Sequence, residues 1–203
     1  GLYTEAEVPD RGPAEKRRTG ALISGVYQPL DEFKVLADYY YARSDDRTDP
    51  GVAINRATGK VDHDIKYVGQ SGLDFQETGA DIFTLGFEWE LGDGVKLENK
   101  SRIGSTENSY IVSAYQRNRN TGADETRSFS GWQENDYIGN QTNLTIDKMW
   151  GDVRHTVIVG GEYANEQTDA GGYSATPDSV AVDPYNPDNN AWRGTKTRGA
   201  KTS

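Results

Sequence analysis

The residues best suited to chemistry are few and poorly placed for it. Asp62-His63-Asp64 sets an imidazole between two carboxylates, all of them side chains that ligate metals. Neighbouring side chains on an extended chain point to opposite faces, so one strand cannot converge all three on an ion, and the segment reads as a solvated loop. Asp183, Asn186, Asp188 and Asn190 offer oxygen ligands at a spacing faintly like a calcium loop. The central Gly and terminal Glu of such a loop are missing, so this too reads as a polar loop. Only His63 and His155 exist to activate a nucleophile, and His155 lies beside the turn Trp150-Gly151-Asp152. Glu88 and Glu90 share one strand face, a spacing that suits lining charge and does not by itself make an acid/base pair. Asn99-Lys100-Ser101, Asn140-Gln141-Thr142 and Asn143-Leu144-Thr145 match the glycosylation pattern but fall inside predicted strands. Gly92-Asp93-Gly94 is hairpin-turn chemistry and no phosphate-cradling loop. No catalytic residue and no metal ligand is assigned.

Composition narrows the classes further. The chain has 203 residues, a net charge of -10, 34% hydrophobic residues and no Cys. Disulfide frameworks, thiolate metal sites and Cys nucleophiles are therefore excluded, and the acidic balance speaks against nucleic acid as a partner. The mean hydropathy of -0.82 is low for a packed globule. The 12 Tyr, 4 Trp and 5 Phe nevertheless argue against disorder. No apolar run approaches the ~20 residues of a membrane helix, and no leader-like segment opens the chain. A start at Gly1 without Met suggests a processed or longer parent.

The elements that must position these residues are strands. Phe83, Leu85, Phe87, Trp89 and Leu91 alternate with Thr84, Gly86, Glu88 and Glu90, a period of two and not a helical stripe. Further strands are predicted over about Thr19–Tyr27, Phe33–Arg43, Val95–Val112, Tyr137–Met149 and His155–Tyr163. Residues 1–18 read as a loop. Short turns fall at Pro29-Leu30-Asp31-Glu32, Gly92-Asp93-Gly94 and Trp150-Gly151-Asp152, and long polar connections at about Ser44–Gly79, Ser113–Asn135 and from Thr168 onward. Short turns alternating with long loops are the plan of an outer-membrane barrel, whose periplasmic turns are short and whose extracellular loops are long.

The two strand faces fit that plan. The apolar face from Phe83 to Leu91 carries no charge, as lipid demands, where a midplane Lys or Arg costs about 2–4 kcal/mol. Glu88, Glu90, Lys96, Glu98, Lys100 and Arg102 share the other face and are expected to pair across the hairpin in a wet lumen. Phe33, Trp89 and Trp150 fall near the short turns, and Tyr39, Tyr41, Phe83, Tyr137 and Tyr163 near the opposite side, like two interfacial girdles. Six strands are too few, since membrane barrels start at about eight, and an open edge in hydrocarbon would strand backbone groups. The expectation is a piece of a larger barrel, prone to aggregate without detergent.

With that architecture in place, the chain resembles the barrel of TonB-dependent siderophore receptors, especially the catecholate type. The resemblance rests on Arg17-Arg18-Thr19-Gly20-Ala21, on Phe33 to Tyr41 running into Thr48-Asp49-Pro50-Gly51-Val52, on Asn140-Gln141-Thr142-Asn143-Leu144-Thr145, and on His155-Thr156-Val157 with Val159-Gly160-Gly161-Glu162-Tyr163. It implies an antiparallel all-β transmembrane barrel of about 22 strands closed by an N-terminal plug. Residues 1–203 are then a partial barrel domain, and nothing in them resembles the plug, the coupling segment or the C-terminal strand. Implied too are a bacterial outer-membrane location, a ferric siderophore as transported ligand, surrounding lipid, and energy from the TonB complex through a plug outside this chain. No covalently bound cofactor is implied.

Ferric catecholates are anionic, so the resemblance draws attention to loop cations and aromatics: Arg47, Arg56, Lys60, Lys66 and Tyr67; Arg117, Arg119, Arg127 and Trp132; and Arg193 beside Trp192. Arg and aromatic rings hold planar anions by charge-assisted hydrogen bonds and stacking. Asp45, Asp46, Asp62 and Asp64 offset much of that field, and loops need solvated charge in any case. Two other readings stay open: an outer-membrane barrel hydrolase, and a passive porin or adhesin wall.

Overall fold

A computed structural model of the protein describes residues 2–7, 12, 14–55 and 58–202. Every regular element among them is a strand. In chain order these are β1 (Leu2–Glu7), β2 (Glu15–Leu30), β3 (Phe33–Arg47), β4 (Ile54–Asn55), β5 (Lys60–Val61), β6 (Phe75–Gly92), β7 (Val95–Arg117), β8 (Asp124–Trp150), β9 (Val153–Gly171), β10 (Tyr173–Thr176), β11 (Ser179–Ala181) and β12 (Thr195–Arg198). One antiparallel eight-stranded sheet runs β1-β2-β3-β6-β7-β8, with β9 and β11 both on the far edge of β8. The hairpins β4-β5 and β10-β12 stand apart from it.

The turns sit where Gly, Asp and Pro put them. Asp31-Glu32, Asp93-Gly94 and Gly151-Asp152 close the β2-β3, β6-β7 and β8-β9 hairpins. Asp93 and Gly94 both take positive φ, 53° and 72°, which a two-residue hairpin turn of this hand requires. At the other end of the sheet the strands outrun expectation. Residues 113–135, expected as a loop, are paired strand from both sides, and only 118–123 connects β7 to β8. The segments 44–47 and 75–79 are likewise strand, and residues 2–7, expected as loop, pair with 15–20. These extensions lack an apolar face because both faces stay polar, so the period-two signal fades while Tyr110, Ile111, Val112, Tyr115 and Phe129 still favour extended chain.

Two faces emerge from the register. Ile23, Tyr39, Phe83, Ile103 and Ile138 lie in one row across the strands, and Phe33, Trp89, Leu97, Leu144 and Val159 in a row nearer the short turns. These side chains are unburied: Ile23 is 68% exposed, Leu85 45% and Val159 61%. The six residue steps from Trp89 to Phe83 span about 20 Å, close to the apolar band of an outer-membrane barrel. Phe33 packs edge-on against Trp89 at 6.0 Å, and Trp150 lies 4.7 Å from His155 at the short-turn rim. Tyr41 and Tyr163 share the apolar face near its other rim, but Tyr137, opposite Gly104, belongs to the ionic face and leaves the expected girdle.

On the ionic face the register sets one opposite-charge pair across the β6-β7 hairpin, Glu90 with Lys96, but the ion pairs that close among the described residues lie elsewhere. Register sets Glu88 opposite Glu98, so Glu88 turns to Lys34 on β3 at 2.7 Å and Glu98 pairs with Lys96 on its own strand at 3.1 Å. The buried apolar residues, Ala14, Ile65, Tyr67, Val68, Leu73, Ile111, Trp132 and Trp192, all lie beyond the band, on the side of the long connections. The sheet itself has no interior of its own. The long outer edge of β9 and the 21–30 stretch of β2 carry no neighbouring strand among the described residues.

Candidate functional site

Beyond the apolar band, the connection 48–74 and the segment 172–202 interlock over β6, β7 and β8. Gln70, fully buried, is their joint. Its Nε2 donates to the carbonyls of Val68 at 3.2 Å and Asp188 at 3.1 Å, and its Oε1 accepts from the Trp192 amide at 2.9 Å. Asn189 reaches back, its Nδ2 donating to the carbonyls of Tyr67 and Gly69 at 2.9 and 2.8 Å. Trp192 then packs with Leu73 and Ile111, flanked by Phe75, Tyr173, Ala175 and Val180. Burial of this cluster and satisfaction of its polar groups hold the two segments as one cap.

Asp74 anchors the cap to the sheet. Its Oδ1 accepts from Ser113 Oγ at 2.6 Å and its Oδ2 from the Gln70 amide at 2.9 Å. Burial raises its carboxyl above the ordinary range, partly offset by those hydrogen bonds and by the Lys196 charge. Lys196 donates to the Leu73 carbonyl at 3.1 Å and lies 4.6 Å over the Phe75 ring. At the β7-β8 tip, burial and a 2.7 Å hydrogen bond to Asp124 push the Tyr115 phenol up to about 12. Gln116 and Asn118 donate to Glu125 and lower its carboxyl.

The sequence-selected cations and aromatics do not converge on one site. Arg47 lies 3.5 Å from Glu15 at the end of β3. Arg56 lies outside the described residues. Lys60 sits on the β4-β5 hairpin and Lys66 on the cap's surface, where its amide donates to Pro184. Tyr67 is 2% exposed and packs inside the cap. Arg117 and Arg127 project from opposite sides of the β7-β8 ladder, since Arg127 pairs with Ala114, three residues from Arg117. Arg119 is exposed in the connecting turn, and Arg117 donates to the Gly122 carbonyl there at 2.9 Å. Trp132 is buried against Gly171, where a Cβ would meet its ring at 2.6 Å. Arg198 lies 4.0 Å over that ring and pairs with Glu134. Arg193 is exposed and donates to the carbonyls of Asn190 and Trp192.

Asp62-His63-Asp64 forms an Asx turn, the Asp64 amide on Asp62 Oδ1 at 3.2 Å, and Asp183 and Asp188 close similar turns. No cluster of metal ligands forms among the described residues. Sequence reasoning missed Gln70, Asp74, Ser113 and Asn189. Lone polar residues in polar segments carry no periodicity, and only their partners reveal them.

No protein-family model matches the chain. The probable TonB-dependent siderophore receptor PiuA of Acinetobacter baumannii is 27% identical over 172 residues, 79% of this chain and 23% of the receptor. The catecholate siderophore receptor Fiu of Escherichia coli K12 is 28% identical over 160 residues, 73% of this chain and 20% of the receptor. The chain thus spans between a fifth and a quarter of the curated relatives it matches. The crystal structure of PiuA superposes with a TM-score of 0.81 at 22% identity, covering 98% of this chain and 32% of that one. The open form of the ferric-catecholate import receptor Fiu from E. coli gives 0.77 at 20% identity, covering 97% and 33%. The ferric preacinetobactin receptor BauA of A. baumannii gives 0.73 at 18%, covering 98% and 30%. The fold is therefore that of an outer-membrane receptor barrel, seen over about a third of such a receptor's length. In sequence and in fold the relatives of this chain are TonB-dependent siderophore receptors, and the chain corresponds to a stretch of their barrel wall.

Proposed function

We propose that residues 1–203 are a contiguous part of the barrel domain of a TonB-dependent outer-membrane receptor that imports a ferric siderophore. One observation carries this reading: an open antiparallel wall, apolar on one face and ionic on the other, superposes over 98% of its length on a siderophore receptor. The apolar face meets outer-membrane lipid and the ionic face a wet lumen. The cap stands on the long-loop side, where the exposed cations Lys60, Lys66, Arg117, Arg119, Arg127 and Arg193 meet an arriving anionic chelate. Arg47, Tyr67 and Trp132 support the loops from within or from ion pairs. The plug, the contact with TonB and barrel closure belong to other parts of the receptor, and this stretch carries no catalysis. The test is uptake of radiolabelled iron, supplied as a ferric catecholate, by cells that make the complete receptor. Uptake that depends on both the receptor and TonB is expected. Equal uptake without TonB would favour a passive pore.

A further inference from the structure

The cap leans over the apolar side of the wall. Phe75 and Ile111 stand eight residues from Phe83 and Ile103 on an unbroken stretch of the β6-β7 ladder, so all four share one face. Ile111 packs with Leu73 and Trp192 of the cap, and Ser113 donates to Asp74. Ser130, opposite Ile111, donates to the Tyr173 carbonyl at 2.9 Å, and Arg198 covers Trp132 one row nearer the band.

Between the cap and the apolar band the same face is open and polar. Asp81, Ser105, Asp136 and Gln167 form one row across β6 to β9, and Gly79, Glu107, Glu134 and Asp169 form the next. From Phe83 to Glu77, level with the covered Trp132, the strand rises about 20 Å, or about 15 Å of height at the tilt of a barrel strand. The headgroup layer of a phospholipid leaflet is only about 5–7 Å thick. Charge also turns a phosphate head away. Arg43 is held by Asp81 and lies 3.8 Å from Glu107, Arg198 pairs with Glu134, and Lys201 pairs with Asp169 at 3.2 Å. With Asp136 the carboxylates outnumber these cations, and the ledge stays acidic. Hydroxyl groups, in contrast, donate readily to carboxylate and carboxamide oxygens.

At the foot of the ledge is a depression of about 440 Å³. Phe83, Ile103 and Ile138 form its lower side, and Asp81, Ser105, Asp136 and Gln167 its upper side. Its shape and polarity suit an amphiphile, with a chain against the three apolar side chains and a hydrogen-bonding head above them. Strands β7 and β8 are flanked on both sides at this height by strands of this chain, and a plug would lie on the other face. The rest of a barrel therefore brings no further strand between them.

We infer that this ledge seats the headgroup of an outer-leaflet glycolipid. The sugar hydroxyls donate to Asp136 and Gln167, and an acyl chain runs down over Phe83, Ile103 and Ile138. The inference rests on the receptor reading above, which turns this face to lipid and the long connections outward.

The test uses the complete receptor in phosphatidylcholine vesicles that carry a minor share of diglucosyl diacylglycerol with a diazirine on its outer sugar. After illumination, peptide mapping is expected to place the adducts chiefly on residues 103–107 and 134–138. The double change Asp136→Ala and Gln167→Ala is expected to cut them about fivefold or more, as the loss of two hydrogen-bonding side chains implies. Equal adducts from phosphatidylcholine with the diazirine on its choline overturn the inference, because the contact is then that of any surrounding lipid. Adducts spread evenly around the barrel, or untouched by the double change, overturn it too. So does a ledge that takes no label, because protein then covers it. A lipid with the diazirine in its acyl chain is run in parallel and is expected to mark Leu85 and Phe87 in both proteins. Marking of the ionic face in their place sinks the reading of the faces, whereas marking of Leu85 and Phe87 with an unlabelled ledge sinks the glycolipid seat alone.

Discussion

The carboxamides of Asn99 and Asn140 hydrogen-bond each other in both directions, each Nδ2 donating to the other's Oδ1 at 3.1 Å. They do so on the apolar face, where Asn99 stands opposite Phe87 and Asn140 opposite Tyr163. Thr142 accepts from Asn99 and Ser101 from Asn140, both at 2.7 Å. Polar groups facing hydrocarbon must find partners within the protein. These four side chains find them in one another, which explains why the wall tolerates them between Leu85 and Leu97.

Removing half of this pair is expected to cost more than removing all of it. Asn140→Ala leaves the Asn99 amide short of an acceptor and should destabilise the receptor by about 1–3 kcal/mol. Changing both Asn99 and Asn140 to Val, with Ser101 and Thr142 to Ala, removes the need and should recover most of that loss. Urea unfolding of the complete receptor in lipid vesicles measures both. A fourfold variant weaker than Asn140→Ala would show that the cluster contributes more than mutual satisfaction.

Trp192 ties the two halves of the cap and should matter only there. Trp192→Ala removes the largest member of the Leu73–Ile111–Trp192 cluster and is expected to cost the cap about 3–5 kcal/mol. Amide exchange should rise at Ser71, Leu73 and Asp74, whose amides are bonded within the cap, while β6-β7 ladder amides below Asp81 stay protected. Exchange rising equally in the ladder would mean that cap and sheet unfold as one unit.

How much of this was legible follows from where periodicity survives. Over Phe33–Tyr41 and Phe83–Leu91, and again from Leu144 to Val159, one face is apolar and the other polar, so apolar residues fall on every second position and the strands, turns and faces could be read directly. Above Asp81 both faces are wet, the alternation fails, and residues 113–135 passed for loop although every one of 124–135 is strand. Two of the three glycosylation-like triplets, set aside in the sequence because they fall in predicted strands, have a structural use instead. Asn-x-Ser and Asn-x-Thr put both polar residues on one strand face, and opposing Asn99-Lys100-Ser101 to Asn140-Gln141-Thr142 builds the four-residue cluster. The cap was illegible because Gln70 and Asn189 lie more than a hundred residues apart in sequence and meet only through the fold. Cations could be listed but not grouped, since which side of the β7-β8 ladder Arg117 or Arg127 takes depends on the register.

Asp74 gives the cap a pH dependence of unusual sign. Its carboxyl is raised in the folded cap by burial, so the folded state binds the proton more tightly than the unfolded one. Its contribution is therefore fully present below the ordinary carboxylate value and is lost as pH rises through the raised folded value. Ser113, Gln70 and Lys196 face it and limit the loss. Exchange at Leu73 and Asp74, corrected for the intrinsic rate, should show a cap that opens more readily at neutral than at mildly acidic pH. Asp74→Asn should flatten the profile. A wild-type cap that loosens on acidification instead would show that exposed carboxylates such as Glu125, lowered by Gln116 and Asn118, dominate.

The assignment of faces has its sharpest test in a matched pair of substitutions. Phe87 lies on the apolar face between Val35 and Asn99, and Asn143 on the ionic face opposite Glu98. Phe87→Arg carries a charge toward the bilayer middle and is expected to cost about 2–4 kcal/mol in urea unfolding of the receptor in vesicles. Asn143→Lys places the same charge on the wet side beside a carboxylate and should change stability by less than about 1 kcal/mol. Substitution in detergent alone does not separate the two, because micelles adapt around a buried charge, so the lipid bilayer is the condition that decides. If Asn143→Lys proved the costlier change in vesicles, the faces would be reversed, and the wet lumen would have to lie on the other side of the sheet.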